Sequence, residues 1–277
     1  GAQLQPENIW AANGSNEVLQ HIFQAFGGPG RSSLGFGPTY SMYGLIAQGT
    51  GTSYVDAPRL DRYELTPEHV SAEILKHKPN IVMLCSPNNP TGTPLSLSCI
   101  EAAYEAVTEA TGGVVVVDEA YAEFSSEISA VTLIAKYPNL VVIRTMSKAF
   151  AFAGARVGYL VANPEVIDAM YLVRLPYHLS AITQAAAEVA LEYQGELLGT
   201  VATLIESRKK VVTALVDMGL EVAPSSANFI IFSGFNLEPT QIWRQLLDRG
   251  VLIRDVGLLG YLRVTIGNEA ENQLFVS

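Results

Sequence analysis

Apolar positions recur along this chain in two alternating modes: short unbroken apolar runs of strand length, and longer stretches with helical spacing. NEVLQHIFQAFGG (residues 16–28) sets Val18, Leu19, Ile22, Phe23 and Phe26 on one helical stripe, and Gly27 and Gly28 end it. The pattern then predicts strand SLGFG (33–37), helix SMYGLIAQG (41–49), strand TSYVDA (52–57), helix PEHVSAEILKH (67–77) and strand NIVMLCSP (80–87). Helix SCIEAAYEAVTEA (98–110), strand GVVVVDEAY (113–121), helix ISAVTLIAKY (128–137) and strand LVVIRTMS (140–147) follow. The runs IVML, VVVV and LVVI lack the period-two alternation of a half-exposed strand, so both faces of their sheet must be covered. Strands alternating with helices in this way define an α/β fold with a mostly parallel sheet sandwiched by helices.

From about residue 180 the pattern changes. Two long helices, ITQAAAEVALEYQ (182–194) and LLGTVATLIESRKKVVTALVDMG (197–219), precede the short strands NFIIF (228–232), GVLIRD (250–255) and YLRVTI (261–266), with helix TQIWRQLLDRG (240–250) among them. This predicts a large domain over 1–180 and a smaller α+β lobe over 181–277. No internal repeat or low-complexity tract interrupts either part.

Composition narrows the function classes. Of 277 residues 49% are hydrophobic and 16% charged, enough for a sizeable core. Seventeen Lys+Arg against twenty-seven Asp+Glu give a formal charge of −10 with no basic run, which argues against nucleic-acid binding. No apolar segment approaches the roughly 20 residues that span a bilayer, and no signal pattern opens the chain. Two cysteines, Cys85 and Cys99, make no disulfide framework, so the cytoplasm is the expected compartment. The start, GAQLQPENIWAANGSNE, has no initiator Met and runs almost directly into the first core helix, which reads as a shortened chain.

In open α/β sheets ligands sit beyond the carboxyl ends of the strands. There the sequence places SPNNPTG after IVMLC, DEAY after VVVV, and SKAF after LVVIRTM. Each group has a plainer reading when taken alone. Lys148 could snorkel; Asp118 could cap a following helix; Asn89 could belong to a Pro- and Gly-rich turn. Tyr40, in PTY, could be a core aromatic or stack on a flat ring. NGSNE (13–17) could be an ordinary cap, or a helix start at which Gly14, Ser15 and Asn16 receive a phosphate. Arg156 could pair with a surface carboxylate, or with Ser147 hold a phosphate. Tyr121, three residues after Asp118, could reach the same pocket. Together they describe one site: a phosphate cradle, a stacking ring, a carboxylate for a ring nitrogen, donors for a ring oxygen, and an amine. Pyridoxal phosphate (PLP) needs this set, with a lysine for a Schiff base and an acidic partner for its ring nitrogen.

NGSNE, PTYSMY, SPNNPTG, VVDEAYAEF and RTMSKAFAFAGARVGY, with LIRD and YLRVTIG near the end, resemble the fold-type I PLP-dependent aminotransferases, and within them the histidinol-phosphate branch. The resemblance spans nearly the whole chain. It implies that Lys148 anchors PLP covalently and then moves the proton, that Asp118 pairs with the ring nitrogen, and that Asn89 and Tyr121 bond the ring oxygen. It further implies that Tyr40 stacks on the ring and that Ser15, Asn16, Ser147 and Arg156 hold the phosphate. Arg263, helped by Arg254, would bind the substrate carboxylate or phosphate. The implied reaction is ping-pong transamination between L-histidinol phosphate and 2-oxoglutarate, giving imidazole-acetol phosphate and L-glutamate, in a homodimer with its site at the subunit interface. The family's segment ahead of NGSNE, and an arginine just downstream of YLRVTIG where this chain reads NEAENQLFVS, have no counterpart here.

A close second reading and two more distant ones stand beside this one. An aromatic or broad-range aminotransferase, or a phosphothreonine decarboxylase, would keep the cofactor residues. A non-catalytic sensor of the same fold would carry a DNA-binding module, which is not seen. A nucleotide-binding Rossmann protein would need a G-x-G-x-x-G after its first strand.

Overall fold

The computed structural model describes residues 4–277. The first seven strands are β1 (Ile9–Ala12), β2 (Ser32–Gly37), β3 (Ser53–Pro58), β4 (Ile81–Cys85), β5 (Val114–Asp118), β6 (Leu140–Thr145) and β7 (Gly158–Val161). They form one sheet in the order β1-β7-β6-β5-β4-β2-β3. β3, β2, β4, β5 and β6 run parallel, β7 is antiparallel to β6 with Thr145 opposite Gly158, and β1 is antiparallel to β7.

The unbroken apolar strands have the predicted cause. Alternate residues serve opposite faces, each with its own core. Ile81, Met83, Val114, Val116, Val141 and Ile143 pack with α1 (Ser15–Phe26), α2 (Met42–Gly49) and α5 (Pro164–Val173). Val82, Leu84, Val115, Val117, Leu140 and Val142 pack with α3 (Pro67–His77) and α4 (Leu97–Ala110). The helices start where the sequence supplies caps: Thr66 Oγ1 accepts from His69 N ahead of α3, with Pro67 at its first position, and Ser96 Oγ accepts from Cys99 N ahead of α4.

After α6 (Ala181–Glu192) and α7 (Gln194–Asp217), β8 (Glu221–Val222), β9 (Phe229–Ser233) and β10 (Leu262–Thr265) form a second, antiparallel sheet, β10-β9-β8. Its core joins Ile230, Phe232, Leu262 and Val264 to Val211 and Leu215 of α7, with α8 (Pro239–Asp248) and α9 (Glu269–Val276) alongside. Among the described residues no helix is long and apolar enough to cross a membrane, and both cysteines are free and buried.

Two predicted elements are corrected. The helix expected over 128–137 is only a 3₁₀ turn, Ala130–Leu133. Its start is pinned by Glu119, which accepts from Ser129 Oγ at 2.6 Å and Ala130 N at 2.7 Å, and Pro138 closes the far end just before β6. The strand expected over 250–255 makes a single bridge, Arg254 to Arg263, because the chain turns at once where Asp255 Oδ1 accepts from Gly257 N. Five elements went unread: β1, β7, α5, β8 and α9.

Candidate active site

A cavity of about 530 Å³ opens at the carboxyl ends of β4, β5 and β6. All eleven side chains singled out above line it: Ser15, Asn16, Tyr40, Asn89, Asp118, Tyr121, Ser147, Lys148, Arg156, Arg254 and Arg263.

One wall is the start of α1. Gly14 is its N-cap, with φ 86° and no side chain to cap the helix, and Asn13 is turned to Glu17 instead, with Asn13 N donating to Glu17 Oε2 at 2.7 Å. An ordinary side-chain cap is therefore excluded. The first-turn N–H groups of Ser15 and Asn16 have no acceptor within the helix, and both residues line the cavity. The Arg156 guanidinium lies against Gly14, where a Cβ would stand 2.4 Å from Nη2. Arg156 donates to Ala153 O at 3.1 Å and takes part in none of the ion pairs of the described residues, so the surface-pair reading fails. Ser147 Oγ lies 3.1 Å from Thr145 Oγ1 at the end of β6.

Gly158 of β7 makes this wall possible, because its Cβ would sit 2.3 Å from Ser15 N and 2.4 Å from Gly14 C. Those are backbone atoms that cannot turn aside. Gly158→Ala is expected to cost about 1–3 kcal/mol of overpacking, delivered to the helix start. Titration of the purified variant with PLP should show binding weaker by about tenfold or more. Wild-type affinity would show that the wall has slack.

Asp118 forms the floor at 3% exposure. No α-helix follows it, only a 3₁₀ turn over Ala122–Phe124, so it is not a helix cap. Oδ1 accepts from Ala120 N at 3.1 Å and Oδ2 from Tyr43 Oη at 2.8 Å. Burial raises its pKa, and these two donors and Lys148 oppose the rise. A cationic ring nitrogen placed beside it would oppose it further.

Lys148 follows β6 in a turn rather than a helix, and its side chain is exposed to the cavity, with Nζ 5.3 Å from the centre of the Tyr121 ring. Desolvation, then Arg263, lower its pKa, against the pull of Asp118. An amine so placed gives up its proton more readily than a free lysine. Across the cavity Arg263 Nη1 donates to Asn89 Oδ1 at 2.6 Å, which leaves the Asn89 amide N–H groups available to a ligand. The adjacent Asn88 is the structural member of the SPNNPTG loop: fully buried, it donates to Pro38 O and Thr91 Oγ1 and accepts from Thr39. Arg263 lies over the Phe229 ring at 4.8 Å, and its Nε is buried without a partner. Arg254 is held beside it by the paired backbone of the bridge. Tyr40 donates to Asn16 Oδ1 at 3.1 Å and meets Tyr43 edge to face.

Sequence reasoning missed two groups behind the cavity. Tyr43 sits inside the quoted motif PTYSMY, and its signal was a hydroxyl on the apolar stripe of a helix, which must find a partner when buried. Arg144 of β6 pairs with Glu119 (2.7 Å) and Glu123 (2.9 Å) and ties the DEAYAEF loop to the strand that leads into Lys148.

An amine, a buried carboxylate, an uncapped helix start and unpaired guanidinium groups around one cavity, on an α/β sheet of this order, define a PLP-dependent transferase of fold type I. The chain belongs to the family "Aminotransferase class I and II", which it matches over residues 1–277. It is 54% identical over 277 residues to the histidinol-phosphate aminotransferase of Mycobacterium avium, covering all of this chain and 68% of that protein. It is 56% identical over 278 residues to that of Paenarthrobacter aurescens, covering all of this chain and 74% of that one. Among solved structures, a putative histidinol-phosphate aminotransferase from Erwinia carotovora atroseptica superposes with a TM-score of 0.90 at 27% identity, covering 99% of this chain and 80% of the other. The histidinol-phosphate aminotransferase from Sinorhizobium meliloti in complex with pyridoxal-5'-phosphate gives 0.89 at 27% identity, covering 98% and 75%.

PLP is the cofactor of this family, and the cavity suits it. The partnerless Nε of Arg263, the uncapped start of α1 and the close seat of Arg156 on Gly14 all leave polar groups in want of an anion.

Proposed function

We propose that this chain catalyses transamination between L-histidinol phosphate and 2-oxoglutarate in histidine biosynthesis. The observation that carries the reading is the meeting, in one cavity, of an accessible lysine of lowered proton affinity with a buried carboxylate. Bound PLP would supply an aldehyde that accepts an amine and a protonated ring that withdraws electrons from the substrate's amine-bearing carbon. Lys148 Nζ would be its covalent anchor, and the group that takes up and returns the proton of that carbon. Asp118 would hold the proton on the ring nitrogen. Asn89 and Tyr121 would donate to the ring oxygen, and Tyr40 would cover the ring face. Ser15, Asn16, Ser147 and Arg156 would bind the phosphate. Arg263 and Arg254 would bind the anionic end of each substrate, phosphate or carboxylate, since a guanidinium fork matches both. Residues 1–180 would be the cofactor-binding domain and 181–277 the small domain.

A homodimer is part of the proposal. Leu172, Leu175, Tyr177 and Ile182 are 87%, 74%, 96% and 83% exposed along one stretch of the chain, apolar surface that suits a second copy. Two free cysteines suit the cytoplasm.

The test is to assay the enzyme with histidinol phosphate, phenylalanine and phosphothreonine, and to reduce the yellow protein with borohydride. Turnover of histidinol phosphate above the other two, with label on Lys148, is expected. A colourless protein that takes up no PLP, or turnover of phosphothreonine instead, would sink the reading. Arg263→Lys keeps the charge and loses the fork, and should raise KM for both histidinol phosphate and glutamate by about 10–100-fold. A change for one substrate only would mean that the other substrate's anion binds elsewhere.

A further inference from the structure

Tyr43 does not line the cavity, yet it touches two of its groups from below. Its side chain is fully enclosed, in the core shared by α1, α2 and the sheet. Its hydroxyl donates to Asp118 Oδ2 at 2.8 Å, and its ring meets the Tyr40 ring edge to face at 5.5 Å and 86°. Phenylalanine would fill the same space, so packing alone does not call for the oxygen.

The groups around Asp118 show what that oxygen does. Cys85, at the end of β4, has its thiol pKa pushed up to about 12, with burial the largest cause, so it brings no charge. Glu119, the next residue, is turned away to Ser129, Ala130 N and Arg144. Lys148 is the cation that acts on Asp118 from the cavity side. Among the described residues Tyr43 is the one side chain that donates a hydrogen bond to the carboxylate; the remaining donor is the backbone of Ala120. The pKa of the phenol is itself pushed well above its usual value, by burial first and then by Asp118, so it stays protonated and donates.

We propose that Tyr43 is a positioning residue for the cofactor: its hydroxyl fixes the rotamer of Asp118 and holds that carboxylate ionised against its buried surroundings, so that it can keep the PLP ring nitrogen protonated. The proposal rests on the reading of Asp118 as the partner of that nitrogen. It assigns Tyr43 a role in cofactor electronics rather than in packing. A carboxylate deprived of a donor holds its own proton more tightly and is a weaker partner for a ring cation. With less positive charge on the ring, the nitrogen joined to Lys148 keeps its proton to higher pH.

The experiment compares wild-type holoenzyme with Tyr43→Phe, Asp118→Asn and the double variant. It follows the pH midpoint of the bound cofactor's visible absorbance, the dissociation constant for PLP, and the melting of each cofactor-free protein. Tyr43→Phe should move the midpoint up by about half a pH unit to one unit and weaken PLP binding by about tenfold. Asp118→Asn should move it further in the same direction. The double variant should match Asp118→Asn alone, because two residues acting through one group do not add.

A Tyr43→Phe protein that melts lower but keeps the wild-type midpoint would reduce Tyr43 to a structural hydrogen bond and overturn the proposal. So would a Tyr43→Phe shift that persists undiminished on the Asp118→Asn background. If Asp118→Asn itself leaves absorbance and affinity unchanged, the reading of Asp118 fails first and takes this inference with it, a result distinct from the other two.

Discussion

Lys148→Ala is expected to lower the transamination rate by about 10⁴-fold, the upper range for removal of a positioned proton-transfer group, while leaving the fold as stable as before. The two halves of this expectation have separate causes. The ammonium makes no hydrogen bond or ion pair among the described residues, and it lies 5.3 Å from the centre of the Tyr121 ring. The side chain is exposed to the cavity, so its loss opens no void. Stability should therefore change by no more than about 0.5 kcal/mol. Nothing else in the cavity can replace the amine: Arg156, Arg254 and Arg263 do not give up protons near neutral pH. Steady-state assays, a melting curve and borohydride labelling would check it together. A variant that stays active, or that loses activity only by unfolding, would remove Lys148 from the chemistry.

Arg144→Leu should have the opposite profile, with a large loss of stability behind the cavity wall. Arg144 donates to Glu119 Oε2 at 2.7 Å and to Glu123 Oε1 at 2.9 Å, and Glu119 is only 4% exposed. Removing the cation strands two carboxylates in the interior, a change that costs about 3–5 kcal/mol. Because Glu119 also anchors Ser129 and Ala130, the damage should spread into the connection between β5 and β6. Denaturant unfolding should show the midpoint falling. Adding Glu123→Gln to Arg144→Leu should recover part of the loss, since one stranded charge is then gone. A variant as stable as wild type would show that the three groups are solvated in practice.

Sequence alone made most of this architecture legible where the signal was local. The helix over 67–77 was bounded by its own Thr66-Pro67 start, and the strands of the central sheet by their apolar runs. The misreadings occurred where a distant partner overrode a local preference. Residues 128–137 have helical spacing, but Glu119 draws their start into a turn. The strands β1 and β7, four residues each, carry too short a pattern to be read, and their pairing joins residues 9–12 to 158–161.

The site divides in the same way. Side chains beyond strand ends could be located because an open α/β sheet puts its ligand there. Asn89 could be named as well, but not what sets it apart from Asn88, since that depends on Arg263 reaching Asn89 across 174 positions and on Asn88 turning to Pro38. Tyr43 lies 75 positions from Asp118, and nothing near it in the sequence points to a carboxylate.

The antiparallel pairing of β6 with β7 bears on how this cavity tolerates change. Thr145 stands opposite Gly158, and Met146 N donates to Val157 O at 3.0 Å, so residues 146–157 are the closed tip of a hairpin. Lys148 stands on one limb of that tip and Arg156 on the other. Their separation is set by the length of a loop whose base is locked in register, not by two independent elements. Amine and guanidinium are therefore inherited as one part with a fixed span. Lengthening the tip by a single residue would pull apart groups that no point substitution could separate.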